Sequence, residues 1–192
     1  MIDPIQQQLL LERIAVFGDQ DAYKKLFQAF YKDLNRFAYS FTKSNETAEE
    51  IVLDVFANLW KNRLRLLEIQ NLKVYLYVAV KNLSIKHANR NRRTDLISLD
   101  ELSVDIPSTG AYANPEEIYI STEIAAAIYA AIKRLPPRCK IIYKLVREDG
   151  LRYKEVANIL QLSVKTIDAQ MTIATKKICQ SINFVLDSPY KK

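Results

Sequence analysis

The chain has 192 residues, 49% of them apolar and 26% charged, with a net charge of +6 and a pI near 9.2. That length buries one or two modest cores, and the basic balance points to an anionic partner. Its three glycines, Gly18, Gly110 and Gly150, stand alone, which excludes a phosphate-cradling P-loop and a dinucleotide fingerprint. One histidine, His87, and two cysteines, Cys139 and Cys179, are too few for a structural zinc site or a disulfide scaffold. Two widely spaced thiols fit a reducing compartment. The opening MIDPIQQQLLLERIAVFGD lacks a basic signal-peptide start, and no apolar run nears the ~18–20 residues that span a bilayer. A cytoplasmic protein without membrane insertion, metal or cofactor is the expectation.

Helical periodicity begins with Phe27, Phe30, Tyr31, Leu34, Phe37, Ala38 and Phe41, a single apolar stripe that Thr42-Lys43-Ser44-Asn45 interrupts. A second helix follows, with Ile51, Val52, Val55, Phe56, Leu59 and Trp60 on one face, Trp60 reading as a core anchor. Polar residues from Asn62 to Gln70 read as a loop, and Leu72 to about Arg90 as a third long helix. No acid occurs between Ile69 and Thr94, whereas Lys73, Lys81, Lys86, Arg90, Arg92 and Arg93 do, interleaved with Tyr75 and Tyr77. Basic groups that track a backbone, with aromatics on which bases stack, are the physical requirement for single-strand binding. Tyr75 and Tyr77 lie two apart and cannot share a helical face, so one of them at least belongs to the core. His87 among these bases reads as a backbone contact or spacer, not a catalyst.

Charge then segregates sharply. Residues 1–93 are net +5, residues 94–117 carry six acids and no base, and residues 118–192 are net +7. Segment 94–114, with Pro107-Ser108-Thr109-Gly110 and only isolated apolar residues, reads as a flexible acidic linker between domains 1–93 and 115–192. Asn114, Pro115, Glu116 and Glu117 form a helix-start signal after it. Ile124, Ile128, Ala131, Ile132 and Leu135 line that helix, and Pro136-Pro137 ends it. The next helix turns Cys139, Ile142, Tyr143 and Val146 inward and stops at Gly150.

Tyr153 to Met171 is the most specific stretch. Val156, Ala157 and Leu160 make a short amphipathic helix; Gln161-Leu162-Ser163 makes a tight turn; Ser163 caps a helix that faces Val164, Ile167, Met171, Ala174 and Ile178 inward. This is a helix-turn-helix pattern. The exposed positions Lys165, Thr166, Asp168, Ala169 and Thr172 are candidate base-edge readers, and Lys176 and Lys177 suit phosphates. Gln161 stands where glycine is easier to place, and Arg152 leaves Glu155 as half a capping box. No strand-period segment of useful length occurs. The fold class is all-α: two small helical domains joined by an acidic linker, the second a four-helix helix-turn-helix domain.

Three blocks, AEEIVLDVFANLWKN (Ala48–Asn62), LKVYLYVAVKNLSIKHANRNRR (Leu72–Arg93) and LPPRCKIIYKLVREDGLRYKEVANILQLSVKTIDAQ (Leu135–Gln170), in this order and spacing, resemble a sigma-70 family sigma factor of the extracytoplasmic function (ECF) group. The short, tyrosine-rich form is most similar to the Bacteroidetes branch. The resemblance implies that the Ala48–Asn62 helix binds the β′ clamp helices of core RNA polymerase through Glu50, Leu53, Asp54 and Asn58. Leu53 departs from the polar residue usual in that block. It further implies capture of the −10 promoter element as single strand by Lys73, Tyr75, Lys81, Asn82, Lys86, Arg90, Arg92 and Arg93, with a flipped-base pocket at Arg63–Asn71. The linker would thread the RNA-exit path, and the second domain would read the −35 duplex and touch the β flap. A separate anti-sigma protein would restrain both domains.

The alternative is a free-standing transcriptional regulator with a helical sensor domain, which has no need for the six acids and no base of residues 94–117. An enzyme has little to build on, since one isolated histidine and no nucleophile motif leave no constellation for covalent chemistry or a small-molecule substrate.

Overall fold

Helix α1 (Pro4–Phe17) stops because Gly18 takes a left-handed conformation, φ 61°. That conformation lets the Gly18 and Asp19 amides donate back to the carbonyls of Ile14 and Arg13 at 3.1 and 3.3 Å. Asp19 then starts α2 (Gln20–Thr42), accepting from the amides of Asp21 and Ala22 at 2.9 and 3.0 Å while Arg13 Nε donates to it at 2.7 Å. These bonds, with the cap amide of Ala22 foremost, hold the Asp19 carboxyl below its ordinary pKa. Lys43, again left-handed at φ 57°, ends α2, and Ser44 caps α3 (Asn45–Lys61) by accepting from the Thr47 amide at 3.2 Å. These are the positions where the apolar stripe breaks. The computed structural model describes residues 4–91, 99–102, 104 and 122–186, and divides the chain into two compact units, Met1–Ile97 and Ser98–Lys192.

In the first unit, α2 packs against α1, α3 and α4 (Leu72–Asn91). Leu26, Leu34, Phe37, Ala38 and Phe41 bury its inner stripe against Val52, Val55, Phe56 and Leu59 of α3 and Leu76, Tyr77 and Val80 of α4. Phe27 meets Phe56 edge-on at 4.9 Å, and Phe37 meets Tyr77 at 5.0 Å. Two features escaped the sequence reading. Helix α1 went unread, because its apolar residues do not concentrate on one side. The Asn62–Gln70 loop is in fact a 3-10 helix over Arg63–Glu68, packed on α1 and burying Leu66. Trp60 stacks edge-on to Tyr23 at 4.9 Å, and the Arg63 guanidinium lies over the Trp60 ring at 5.2 Å.

The second unit holds α5 (Thr122–Lys133), α6 (Pro137–Tyr143), α7 (Tyr153–Leu160) and α8 (Val164–Leu186). Helix α8 is the hub: α5, α6 and α7 all pack on it, and Ile167, Met171, Ala174 and Ile178 supply its core face. Val164 differs from expectation and stays exposed. Helix α6 runs on into a π turn, Lys144–Glu148, before Gly150 at φ 66°. The segment read as linker is not wholly without structure: Leu99–Glu101 forms one 3-10 turn that packs on α6, and Leu102 is buried. The helix-start signal at Asn114–Glu117 and the rest of the linker lie outside the described residues. Among the described residues, all regular structure is helical.

The cores set two stability expectations. Phe37→Ala removes a fully buried ring between three helices and costs about 3–5 kcal/mol, measured by urea titration of the intact chain. Gln161 is held at φ 56° in the α7–α8 turn. Gln161→Gly relieves that strain and raises stability by about 0.5–1 kcal/mol in the same titration.

Candidate nucleic-acid interface

Helix α3 turns one flank to the core and the other to solvent. Ala48, Ile51, Val52, Val55, Phe56 and Leu59 are buried; Glu49, Glu50, Leu53, Asp54, Ala57, Asn58 and Lys61 are exposed. The four residues expected at the polymerase, Glu50, Leu53, Asp54 and Asn58, therefore share one outer stripe at i, i+3, i+4 and i+8. Leu53 is 46% exposed, so it is no core residue, and an apolar side chain stands in the middle of an acidic and amide-bearing face.

Helix α4 sorts the residues expected at single-stranded DNA. Tyr75, Asn82 and Lys86 are exposed and fall on one line along the helix, at i, i+7 and i+11. Tyr77 is wholly buried against Phe37, so the exposed tyrosine of the pair is Tyr75. Lys73 is half-buried and on a different side of the helix. Lys81 corrects the sequence reading. It is only 4% exposed, on the face that packs into the unit, and burial pushes its pKa below the ordinary lysine value. A lysine so placed is not a phosphate contact; its stem fills space between helices. Arg92 and Arg93 lie outside the described residues, as does the side chain of Arg90 at the end of α4.

Beside this line a surface pocket of about 630 Å³ is lined by Leu59, Asn62, Arg65, Leu66, Glu68, Ile69 and Tyr75. Leu59 and Leu66 give it an apolar floor, Tyr75 an aromatic wall, and Asn62, Arg65 and Glu68 polar groups at the rim. Leu59 and Asn62 are contributions the sequence did not single out. They come from the end of α3, and only the 3-10 helix folding back brings them to Tyr75. The pocket can hold a flat aromatic group against one ring while offering hydrogen-bond donors and acceptors to its edge.

In the second unit the turn between α7 and α8 forms through the Leu162 amide donating to Ala157 O at 2.9 Å. Glu155 accepts from the Arg152 amide at 2.7 Å, the half capping box read from sequence. Ser163 accepts from the Thr166 amide at 3.0 Å and shares a 2.7 Å hydroxyl contact with the Thr166 side chain. Thr166 is thus occupied in the cap and half-buried, less free to reach a base than its neighbours. Lys165, Asp168, Ala169, Thr172 and Lys176 are exposed along one stripe, opposite Ile167, Met171 and Ala174. The Thr172 hydroxyl donates to Asp168 O at 3.0 Å, which fixes the side chain and leaves its oxygen free to accept. Helix α8 has 23 residues, about 35 Å long at 1.5 Å per residue, and its first turns bury Ile167 and Met171 while leaving Lys165, Asp168, Ala169 and Thr172 on the solvent side.

Two family models match the chain: Sigma-70 region 2 over residues 26–94 and Sigma-70, region 4 over residues 125–178. Together they cover more than half of it, each centred on one unit. The chain belongs to the sigma-70 family, in the ECF group. It is similar to the ECF RNA polymerase sigma-E factor of Escherichia coli K12, 24% identical over 93% of the chain and 95% of that protein. It also resembles the ECF RNA polymerase sigma factor SigE of Mycolicibacterium smegmatis, at 24% identity over 80% of the chain. The matched part spans 60% of that relative's length. Among solved structures, CnrH in complex with the cytosolic domain of CnrY shares the fold, with TM-score 0.54 and 20% identity over 95% of this chain and 99% of that one. The sigma factor accordingly directs promoter-specific transcription by binding core RNA polymerase and promoter DNA, and it is no enzyme. No described helix is long and apolar enough to cross a membrane, and no metal-binding cluster occurs among the described residues.

Lys81→Met leaves affinity for single-stranded promoter DNA within twofold, read by fluorescence anisotropy with the holoenzyme, whereas Lys86→Ala weakens it and lowers the salt slope by about 0.7. The folded pKa of Lys81 lies below the unfolded one, so the unfolded chain binds the extra proton. The penalty of burying Lys81 is present in full at low pH and is lost as pH rises toward about 10.4. The stability advantage of Lys81→Met therefore narrows over that rise, measurable by urea titration at stepped pH.

Proposed function

We propose a division of labour between the two units. The first, read as residues 1–93, holds the β′ clamp helices of core polymerase with the outer stripe of α3: Glu50, Leu53, Asp54 and Asn58. It keeps the −10 element open by stacking on Tyr75, offering Asn82 to an unstacked base and Lys86 to the backbone. The pocket at Leu59, Asn62 and Tyr75 receives a flipped base. The second, read as residues 115–192, reads the −35 duplex with Lys165, Asp168, Ala169 and Thr172, while Lys176 and Lys177 meet phosphates and the unit touches the β flap. The acidic segment 94–114 runs in the RNA-exit path, where its charge stands in for RNA.

The observation that carries this reading is the outer stripe of α3, where Glu50, Leu53, Asp54 and Asn58 stand exposed on one line of the helix. An anti-sigma protein covers the units until a signal releases them; the solved relative CnrH is likewise held by a second protein. The work takes place in the cytoplasm, with the polymerase. We further assign the chain to the Bacteroidetes branch, a reading supported by its short form and its 11 tyrosines.

Gel filtration with bacterial core polymerase in the absence of DNA tests the first half. Wild type co-elutes at sub-micromolar concentration; Asp54→Arg and Leu53→Asp weaken binding to core polymerase at least tenfold. Lys165→Ala and Thr172→Ala leave co-elution intact and alter only −35 preference in run-off transcription. Loss of core binding in Lys165→Ala, or its retention in both α3 variants, defeats the assignment.

A further inference from the structure

Between α6 and the reader helices the chain makes an unusual corner. Lys144 Nζ donates to both carboxylate oxygens of Asp149, at 2.9 and 2.8 Å, and the two side chains are 0% and 3% exposed. The backbone between them is a π turn: the Asp149 amide donates to Lys144 O at 3.0 Å, and the Leu151 amide then reaches back to Leu145 O at 3.0 Å. Gly150, at φ 66°, permits that second bond, and Leu151 is buried directly after it. Arg152 follows in an extended conformation and begins α7. The direction in which α7 leaves α6 is thus fixed by one closed loop of interactions, from Lys144 through Asp149 to Leu151.

Stability gives little reason for a buried ion pair here. Desolvating both charges offsets most of their attraction, and an apolar pair of like volume serves a core as well. The distinctive property of the pair is geometric. A single lysine gripped by both oxygens holds a widened turn at one register, where an apolar pair tolerates several. Besides its packing on α5, helix α8 is held by α7, through the tight turn, and by α6, where the Cys139 thiol donates to Gln170 O at 3.3 Å. The angle between α6 and α7 therefore sets where the exposed stripe of α8 points.

We propose that Lys144 and Asp149 are positioning residues for the DNA reader: their ion pair locks the π turn and thereby fixes the presentation of Lys165, Asp168, Ala169 and Thr172. The proposal rests on the reading that α8 addresses the −35 duplex. Both side chains are buried away from the exposed stripe, and the sequence pattern singled out neither of them.

The test uses holoenzyme reconstituted with core polymerase and a duplex promoter selected by wild type from a randomised library. Run-off transcription is compared between that promoter and a version with the −35 block scrambled, and hydrogen exchange is followed at the Asp149 and Leu151 amides. Lys144→Met/Asp149→Leu, keeping a near-native melting temperature and co-elution with core, is expected to lose at least fivefold in the ratio of the two transcripts. The two amides exchange at least tenfold faster. A folded apolar variant with the ratio within twofold of wild type overturns the proposal, as does unchanged exchange. If that variant melts far below wild type, Lys144→Gln/Asp149→Asn, which keeps a hydrogen bond across the turn without charge, carries the same readings. A smaller loss of the same sign is then expected, and unchanged values overturn the proposal. A wild-type ratio near one would instead defeat the −35 reading itself, independently of the exchange result.

Discussion

The first unit depends on one packed surface, the inner stripe of α2. Leu34, Phe37, Ala38 and Phe41 give α3 and α4 a common wall, and each of these helices spends its apolar flank on it. What remains of α3 and α4 for other molecules is the reverse side. The spacing of the core residues thereby dictates the spacing of the exposed ones. Ile51, Val52, Val55 and Phe56 cannot face inward without turning Glu50, Leu53, Asp54 and Asn58 outward. Surfaces for a protein partner and for nucleic acid thus come from the same construction and are rigid to the extent that the wall is.

The second unit applies the same logic around a different centre. Helix α8 is both the core that three helices cover and the helix we propose for the duplex. Its inner residues, Ile167, Met171 and Ala174, alternate at helical spacing with the outer ones. A reader built this way needs no separate scaffold, but it inherits every shift of the helices around it. The corners matter accordingly, and the tight α7–α8 turn and the π turn before α7 are where the backbone leaves ordinary helical values.

Much of this was legible from the amino acids alone. Stripes such as Phe37/Ala38/Phe41 and Ile167/Met171/Ala174 have strong periodicity, and caps such as Ser163 have few alternatives. The pattern also foretold that one of Tyr75 and Tyr77 is core, though not which. Other features lay beyond it for physical reasons. Helix α1 has apolar residues on all sides, so no stripe stands out. The Arg63–Glu68 helix is short and its six residues carry one buried side chain, Leu66, too little for a period. Lys81 reads as one more basic group in an acid-free helix, and only the packing of α4 reveals that its position faces inward. The pocket joins residues from Leu59 to Tyr75, and no one-dimensional pattern brings the two ends together. Lys144 and Asp149 are five apart, a spacing that an ordinary helix never pairs, so a π turn had to be seen before the pair could be.

Helix α1 has two unequal sides. Leu11, Ile14 and Ala15 are buried toward α2 and the 3-10 helix, while Ile5, Leu9, Val16 and Phe17 stand in water. Anyone shortening the chain for crystallisation or spectroscopy meets a trade between these two sides. Cutting before Asp19 removes four sticky side chains, but it also uncovers Leu66, the one buried anchor of the segment that carries Arg65, Glu68 and Ile69 to the pocket rim. A trimmed protein would then be better behaved in the tube and less faithful at the pocket, so improved solubility is a poor guide to whether a fragment is still the molecule of interest.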